Sequence, residues 1–124
     1  MDFEQAAGHA ADLVQSLSPG ARVRVISPSD ADGIAAAAIM AVTLTRAGFR
    51  HHISIRHTGS TIADGVTDDY DLAIFCDVGS SNFDELNQLP CQVILVDHHV
   101  IDGCLDNGIN LNVRTYDMDG SREA

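Results

Sequence analysis

The sequence predicts a doubly wound α/β domain built on a mainly parallel sheet of about five strands. Three observations carry this. Leu72 to Cys76 (LAIFC) and Gln92 to Val96 (QVILV) are short, unbroken apolar runs, as expected of strands covered on both faces. From about Asp32 to Ala47 the Ala-rich run DGIAAAAIMAVTLTRA predicts a helix closed by Gly48, the usual residue after a helix end. Extended and helical stretches then alternate along the chain, as parallel βαβ units require.

The elements follow in order. Phe3, Ala6, Ala10, Leu13, Val14 and Leu17 recur at helical spacing and predict an opening amphipathic helix, stopped by Ser18-Pro19-Gly20. Arg22 to Ser27 (RVRVIS) reads as the first strand, and Phe49 to Arg56 (FRHHISIR) alternates as the second. The small side chains of the helix between them suit close packing on a sheet. Thr58 to Tyr70 is polar and predicts a loop with a short helix. Asn82 to Leu89 predicts another short helix, ended by Pro90, and Ile109 to Val113 is the candidate fifth strand. The outcome is one Rossmann-like domain over residues 1–124, with no internal repeat or low-complexity linker. Gly120 to Ala124 complete no element, so the chain is expected to be cut within a larger protein.

Composition narrows the function classes. A chain of 124 residues with a 45% apolar fraction fits one domain with one modest core. No apolar run approaches the roughly 20 residues of a bilayer span. The acidic start MDFEQAAGHAADLV lacks the basic region of a signal peptide, so a cytoplasmic location and no membrane partner are expected. Cys76, Cys91 and Cys104 form an odd set with no C-x-x-C pair and read as reduced, mostly buried thiols. The net charge is −11 and all seven basic residues are Arg. Such a surface repels polyanions and argues against tight, charge-driven nucleic-acid binding by this domain alone.

Three strands lead straight into acidic or imidazole side chains. The first runs into Ser27-Pro28-Ser29-Asp30-Ala31-Asp32-Gly33, the third into Asp77, and the fourth into Asp97-His98-His99. In a parallel sheet these turns share the carboxyl edge, where open α/β folds bind ligands. They converge on one crevice if strands one, three and four are neighbours. Oxygen ligands with one or two imidazoles favour Mn²⁺ or Mg²⁺ over thiolate-held zinc. Asp30 and Asp32, two apart on a turn, can each face a different ion, with Asp77 between them. Two ions about 4 Å apart polarise a phosphate and lower the pKa of a shared water. Gly33 permits a tight turn into a helix whose first N–H groups suit a phosphate oxygen. Asp97 is placed to orient one imidazole from behind.

At these residues the chain resembles the DHH phosphoesterase superfamily, and within it RecJ-like exonucleases of the archaeal type. The resemblance runs from about Val23 to the C-terminus, through D-A-D-G-I at Asp30 to Ile34, F-C-D at Phe75 to Asp77, and V-D-H-H at Val96 to His99. D-G-S-R-E-A at Asp119 to Ala124 is similar to a segment of the archaeal branch. The resemblance implies two divalent cations, Mn²⁺ or Mg²⁺, with Asp30 on one, Asp32 on the other and Asp77 bridging. His98 would be a further metal ligand and His99 a catalytic contact to the substrate phosphate. The implied activity is hydrolysis of phosphodiester bonds in single-stranded DNA or RNA from the 5′ end. Short oligonucleotides or cyclic dinucleotides are the alternative substrates.

Two departures stand out. The family often places a His or Asp ligand two or four residues before its first motif Asp; here those positions are Pro28 and Ile26. A further metal-binding Asp, and the DHH-associated domain that grips substrate, are expected beyond Ala124. The same ancestry includes catalytically weakened replisome scaffolds, which bind replication factors, and Pro28 with the acidic surface motivates that alternative. The D-A-D-G turn also resembles haloacid-dehalogenase-type phosphatases, and the acids after strands one and three resemble a receiver domain. Neither explains His98 and His99, and both call for a late Lys that this chain lacks. His9, His51 and His52 read as solvated or structural, and Asp64, Asp68, Asp69 and Asp71 as a solvated acidic face rather than a calcium loop. His57 to Ser60 read as an ordinary turn. Arg56 and Arg114 become phosphate contacts only if they face the crevice.

Overall fold

The computed structural model describes residues 2–56, 63, 66, 69–101 and 103–112. Most of the 58–70 loop, Arg114, Val113 of the predicted fifth strand and the Asp119 to Ala124 segment lie outside them. The strands are β1 (Arg22–Pro28), β2 (Arg50–Arg56), β3 (Leu72–Cys76), β4 (Gln92–Val96) and β5 (Gly108–Asn110). All pair in parallel, in the order β2-β1-β3-β4-β5. The helices are α1 (Phe3–Gln15), α2 (Ala31–Ala47) and α3 (Phe83–Leu86).

Alternation along the strands sends side chains to two cores. Val23, Val25, Leu72, Ile74, Cys76 and Ile94 face one side, where they meet Ala6 and Ala10 of α1 and Leu44 of α2. Ile26, Ala73, Phe75, Val93 and Leu95 face the other, with Phe83 and Leu86 of α3. Helices on both faces make the sheet doubly wound, as predicted. They also explain why β3 and β4 read as unbroken apolar runs. Phe75 is fully buried in the middle strand. Its replacement by Ala is expected to cost about 3–5 kcal/mol of unfolding free energy in denaturant titration. A loss below 1 kcal/mol would mean that the second core is not packed as described.

Helix ends follow local chemistry. Asp2 and Gln5 form a reciprocal capping box on α1. Gly48 closes α2 at φ 83, in the left-handed region that favours glycine. The α3 helix is shorter than the predicted 82–89 span. Asn82 supplies no side-chain cap, and the Asn87 side chain instead holds the Cys104 carbonyl (2.8 Å) and the Asp106 N–H (2.7 Å) of the next loop. The fifth strand begins one residue before the prediction, at Gly108, where a Cβ would fall 1.7 Å from the Val93 carbonyl oxygen. Glycine there reads as turn in sequence but permits close strand pairing. Asn110 Oδ1 then accepts the Asn112 N–H (2.8 Å) and bends the chain away.

Among the described residues the fully or nearly fully buried polar side chains each find a partner, although the Arg24 Nε atom itself makes no hydrogen bond. Buried Arg24 reaches His52 Nδ1 (3.0 Å), Tyr70 Oη (3.3 Å) and Ser54, while Arg22 lies 4.7 Å over the Tyr70 ring and pairs with Asp69. His52 thus joins a polar cluster on the edge strand β2. Cys76 is buried and Cys91 half-buried, but Cys104 is exposed, which corrects the expectation of mostly buried thiols. Among the described residues no helix is long and apolar enough to cross a membrane.

Candidate metal centre

The chain winds from β1 to β2 on one side and to β3 on the other, so β1 and β3 flank the point where winding reverses. Loops diverge there, which leaves a crevice at the carboxyl edge. Asp30, Asp32, Asp77, Asp97, His98 and His99 all leave the sheet at that edge. The condition that strands one, three and four be neighbours is met.

Ser27 fastens the first turn. Its fully buried hydroxyl donates to the Gly33 carbonyl (2.6 Å), with the Cys76 carbonyl 3.2 Å away, tying the end of β1 to α2 and to the end of β3. Asp30 is the N-cap of α2, its Oδ1 accepting the Gly33 N–H at 2.8 Å. Asp32 sits in the first helical turn and lines a cavity of about 380 Å³ with Asp77, Asp97 and His98. Apolar side chains, among them Phe3, Ile39, Met40 and Leu111, complete that cavity.

Asp77 follows β3 directly at φ 59, a left-handed conformation that Asp tolerates better than most residues. The turn is held by its N–H bond to the Val96 carbonyl (2.7 Å), and its carboxylate meets His98 Nε2 at 2.8 Å. Asp97 is more enclosed, with a side chain only 1% exposed. Its Oδ1 accepts the His98 N–H (2.8 Å), the His99 N–H (3.4 Å) and His99 Nδ1 (2.6 Å), while Oδ2 faces the Ser80 N–H at 3.3 Å. The His99 ring is consequently fixed through Nδ1.

The two acids titrate in opposite directions. Burial raises the Asp77 carboxyl above its ordinary value; His98 and His99 pull it back and the nearby Asp30 charge pushes it further up. Burial also works against ionised Asp97, but hydrogen bonds from Ser80, the His99 ring and the His98 N–H hold it below the usual range. Burial, with Asp77 and Asp97 close by, pushes the Cys76 thiol up to about 12, so it is not a thiolate ligand.

Asp77, Asp97, His98 and His99 each offer one ligand atom within 4.8 Å of the others. Oxygen and imidazole donors this close, with Asp30 adding negative charge, fit a divalent cation of the Mn²⁺ or Mg²⁺ kind. Asp30 and Asp32 stand outside that tight group. Asp30 is occupied by helix capping, and Asp32 reaches only the shared cavity. Ile26 is wholly buried on the opposite face and Pro28 ends β1, so neither adds a donor. Sequence reasoning missed Ser80, which is 1% exposed and sits beneath Asp97. Its only trace was an unremarkable Gly-Ser-Ser after the Asp77 turn.

Fold and cluster together define an α/β domain with a candidate divalent-cation centre at the carboxyl edge of its sheet. The chain belongs to the DHH family, whose N-terminal domain matches residues 22–120. It is 30% identical over 110 residues to an uncharacterized protein of Methanocaldococcus jannaschii, covering 82% of this chain and 26% of that protein. It is also 30% identical over 111 residues to YorK of Bacillus subtilis, a prophage-derived protein named for single-strand DNA-specific exonuclease activity, covering 83% of this chain and 19% of that one. The crystal structure of RecJ from Thermus thermophilus in complex with Mn²⁺ superposes with a TM-score of 0.71 at 27% identity, covering 92% of this chain and 17% of that one. The chain thus spans only 17–26% of the length of these relatives.

Proposed function

We propose that this chain is the metal-binding DHH domain of a phosphodiesterase acting on single-stranded DNA or RNA, with RecJ-like 5′ to 3′ exonuclease action. The observation that carries the reading is the meeting of Asp77, Asp97, His98 and His99 within 4.8 Å at the carboxyl edge. YorK's name and the Mn²⁺ in RecJ support it. In this reading residues 1–124 form one domain of a longer protein, and a DHH-associated domain elsewhere grips substrate.

Asp77 and His98 would hold a cation directly, and Asp32 and Asp30 would serve a second from across the crevice. Cations so held supply Lewis acidity toward phosphate and a nucleophile at neutral pH. His99, oriented by Asp97, is free to contact the phosphate and steady charge developing on it. Since a carboxylate behind an imidazole fixes its tautomer, Asp97 contributes through His99 rather than by touching substrate.

The test is release of mononucleotides from a single-stranded substrate by the intact protein, with and without Mn²⁺. Mn²⁺-stimulated release abolished by chelator is expected. Failure across DNA, RNA and short oligonucleotides, with no Mn²⁺ bound in calorimetry, would sink the proposal. A second reading, a catalytically weakened replisome scaffold, is favoured by Pro28 and Ile26 where the family often has a ligand. It predicts a stable replication-factor complex, weak cation binding and no turnover.

A further inference from the structure

Behind the centre lies a buried polar chain that crosses three loops. Asn112, just past β5, is fully buried, and its Nδ2 lies 2.6 Å from Ser80 Oγ and 2.8 Å from the His99 carbonyl oxygen. A carbonyl only accepts, so the amide nitrogen must face it, and its second proton goes to Ser80 Oγ. Having accepted from Asn112, the Ser80 hydroxyl keeps its single proton for the Asp97 carboxylate, whose Oδ2 the Ser80 N–H also faces at 3.3 Å. Asp97 in turn takes His99 Nδ1 at 2.6 Å. Asn112 therefore joins the loop after β3, which carries Asp77, to the loop after β4, which carries His98 and His99.

We propose that Asn112 and Ser80 are positioning residues for this centre: Asn112 sets the direction of the Ser80 hydroxyl, which fixes Asp97 and, through it, the orientation and tautomer of His99. Several features favour this over simple packing. Each link has one geometry in which donors meet acceptors, and reversing any one of them sets two acceptors or two donors face to face. Asn112 also touches the His99 backbone directly, so it holds that residue at both ring and main chain. Its own N–H is pinned by Asn110 Oδ1 at 2.8 Å, which fixes the backbone that carries the side chain. Ionised Asp97 accepts only, so Nδ1 of His99 carries the proton and Nε2 presents a lone pair to the crevice. Free neutral imidazole has no such enforced choice.

The inference rests on the proposed function only for what His99 does to substrate. The intact protein is therefore examined in two ways. Long-range ¹H–¹⁵N correlation of the imidazoles reads the His99 tautomer without activity. Steady-state hydrolysis of a single-stranded oligonucleotide with Mn²⁺ reads kcat and KM. Asn112→Ala and Ser80→Ala are each expected to turn a single Nδ1–H form into a tautomer mixture. They should lower kcat about 10–100-fold, the usual range for residues behind a metal centre, with KM nearly unchanged. Asn87→Ala is the comparison, because Asn87 similarly braces a loop, through Cys104 and Asp106, away from the centre. It should lower Tm and leave the His99 tautomer alone. If Asn112→Ala does not fold, Ser80→Ala, which removes one oxygen, carries the test. An unchanged tautomer with kcat within twofold in the folded variants overturns the inference. A tautomer that responds in a protein with no Mn²⁺-dependent hydrolysis supports the positioning role and instead removes the functional reading.

Discussion

Asp77→Asn is expected to abolish tight Mn²⁺ binding by the intact protein and to lower turnover on single-stranded substrate by about a hundredfold to a thousandfold. Metal-ion stabilisation of a transition state is worth several kcal/mol, and each 1.36 kcal/mol is one decade of rate. The substitution is chosen because the fold should survive it. Asp77 occupies φ 59, and Asn is among the few residues that adopt this conformation without serious strain. What vanishes is the negative charge beside His98 Nε2, 2.8 Å away. The pH dependence gives a second reading of the same event. Burial, and beyond it the Asp30 charge, raise the Asp77 carboxyl, so its proton competes with a cation at higher pH than an ordinary carboxylate would allow. Cations bind the ionised form, so affinity is full above that raised value and is lost as pH falls through it. Titration calorimetry with Mn²⁺ at successively lower pH should show this loss in the parent protein. Affinity and pH profile unchanged in Asp77→Asn would remove Asp77 from the centre.

The parts of the fold that sequence revealed are those where one physical demand dominates. The β3 and β4 strands are buried on both faces, so each reads as an apolar run and the predicted spans coincide with those observed. Gly48 ends α2 because the left-handed turn there disfavours any side chain. Where two demands call for the same residue type, sequence was ambiguous. An Asp at a helix start serves equally as cap or ligand, and Asp30 is found capping Gly33. Glycine weakens strands in general, so Gly108 carries no strand signal, although here only glycine fits against Val93. Ser80 and Asn112 were not legible for a different reason. Their role exists only once three loops distant in sequence meet, and Ser and Asn are common everywhere in loops. Asp97-His98-His99 was legible because its members are adjacent; in the structure Asp97 turns inward to His99, and His98 turns to Asp77.

Gly33→Ala should be the most damaging single-atom addition to the crevice, and its sign alone is informative. On helix propensity, Ala in place of Gly would stabilise α2 by about 1 kcal/mol. The opposite is expected here. A Cβ at residue 33 would lie 2.2 Å from the Pro28 carbonyl oxygen and 2.7 and 2.8 Å from the Pro28 ring. Neither neighbour can yield easily, one being backbone and the other a rigid ring at the end of β1. Overpacking of this kind costs typically 1–3 kcal/mol, and separating β1 from α2 would also sacrifice the Asp30 cap, worth about 1 kcal/mol. Set against the propensity gain, a net loss of about 1–3 kcal/mol in denaturant unfolding is the expected result. The same displacement pulls on three features of the candidate centre at once. Gly33 N–H holds Asp30, its carbonyl holds Ser27, and Asp32 precedes it in the same helical turn. Mn²⁺ affinity should therefore fall along with stability, even though the substitution removes no donor atom. Stabilisation, or a loss of stability with cation binding intact, would show that the turn between β1 and α2 does not govern the crevice.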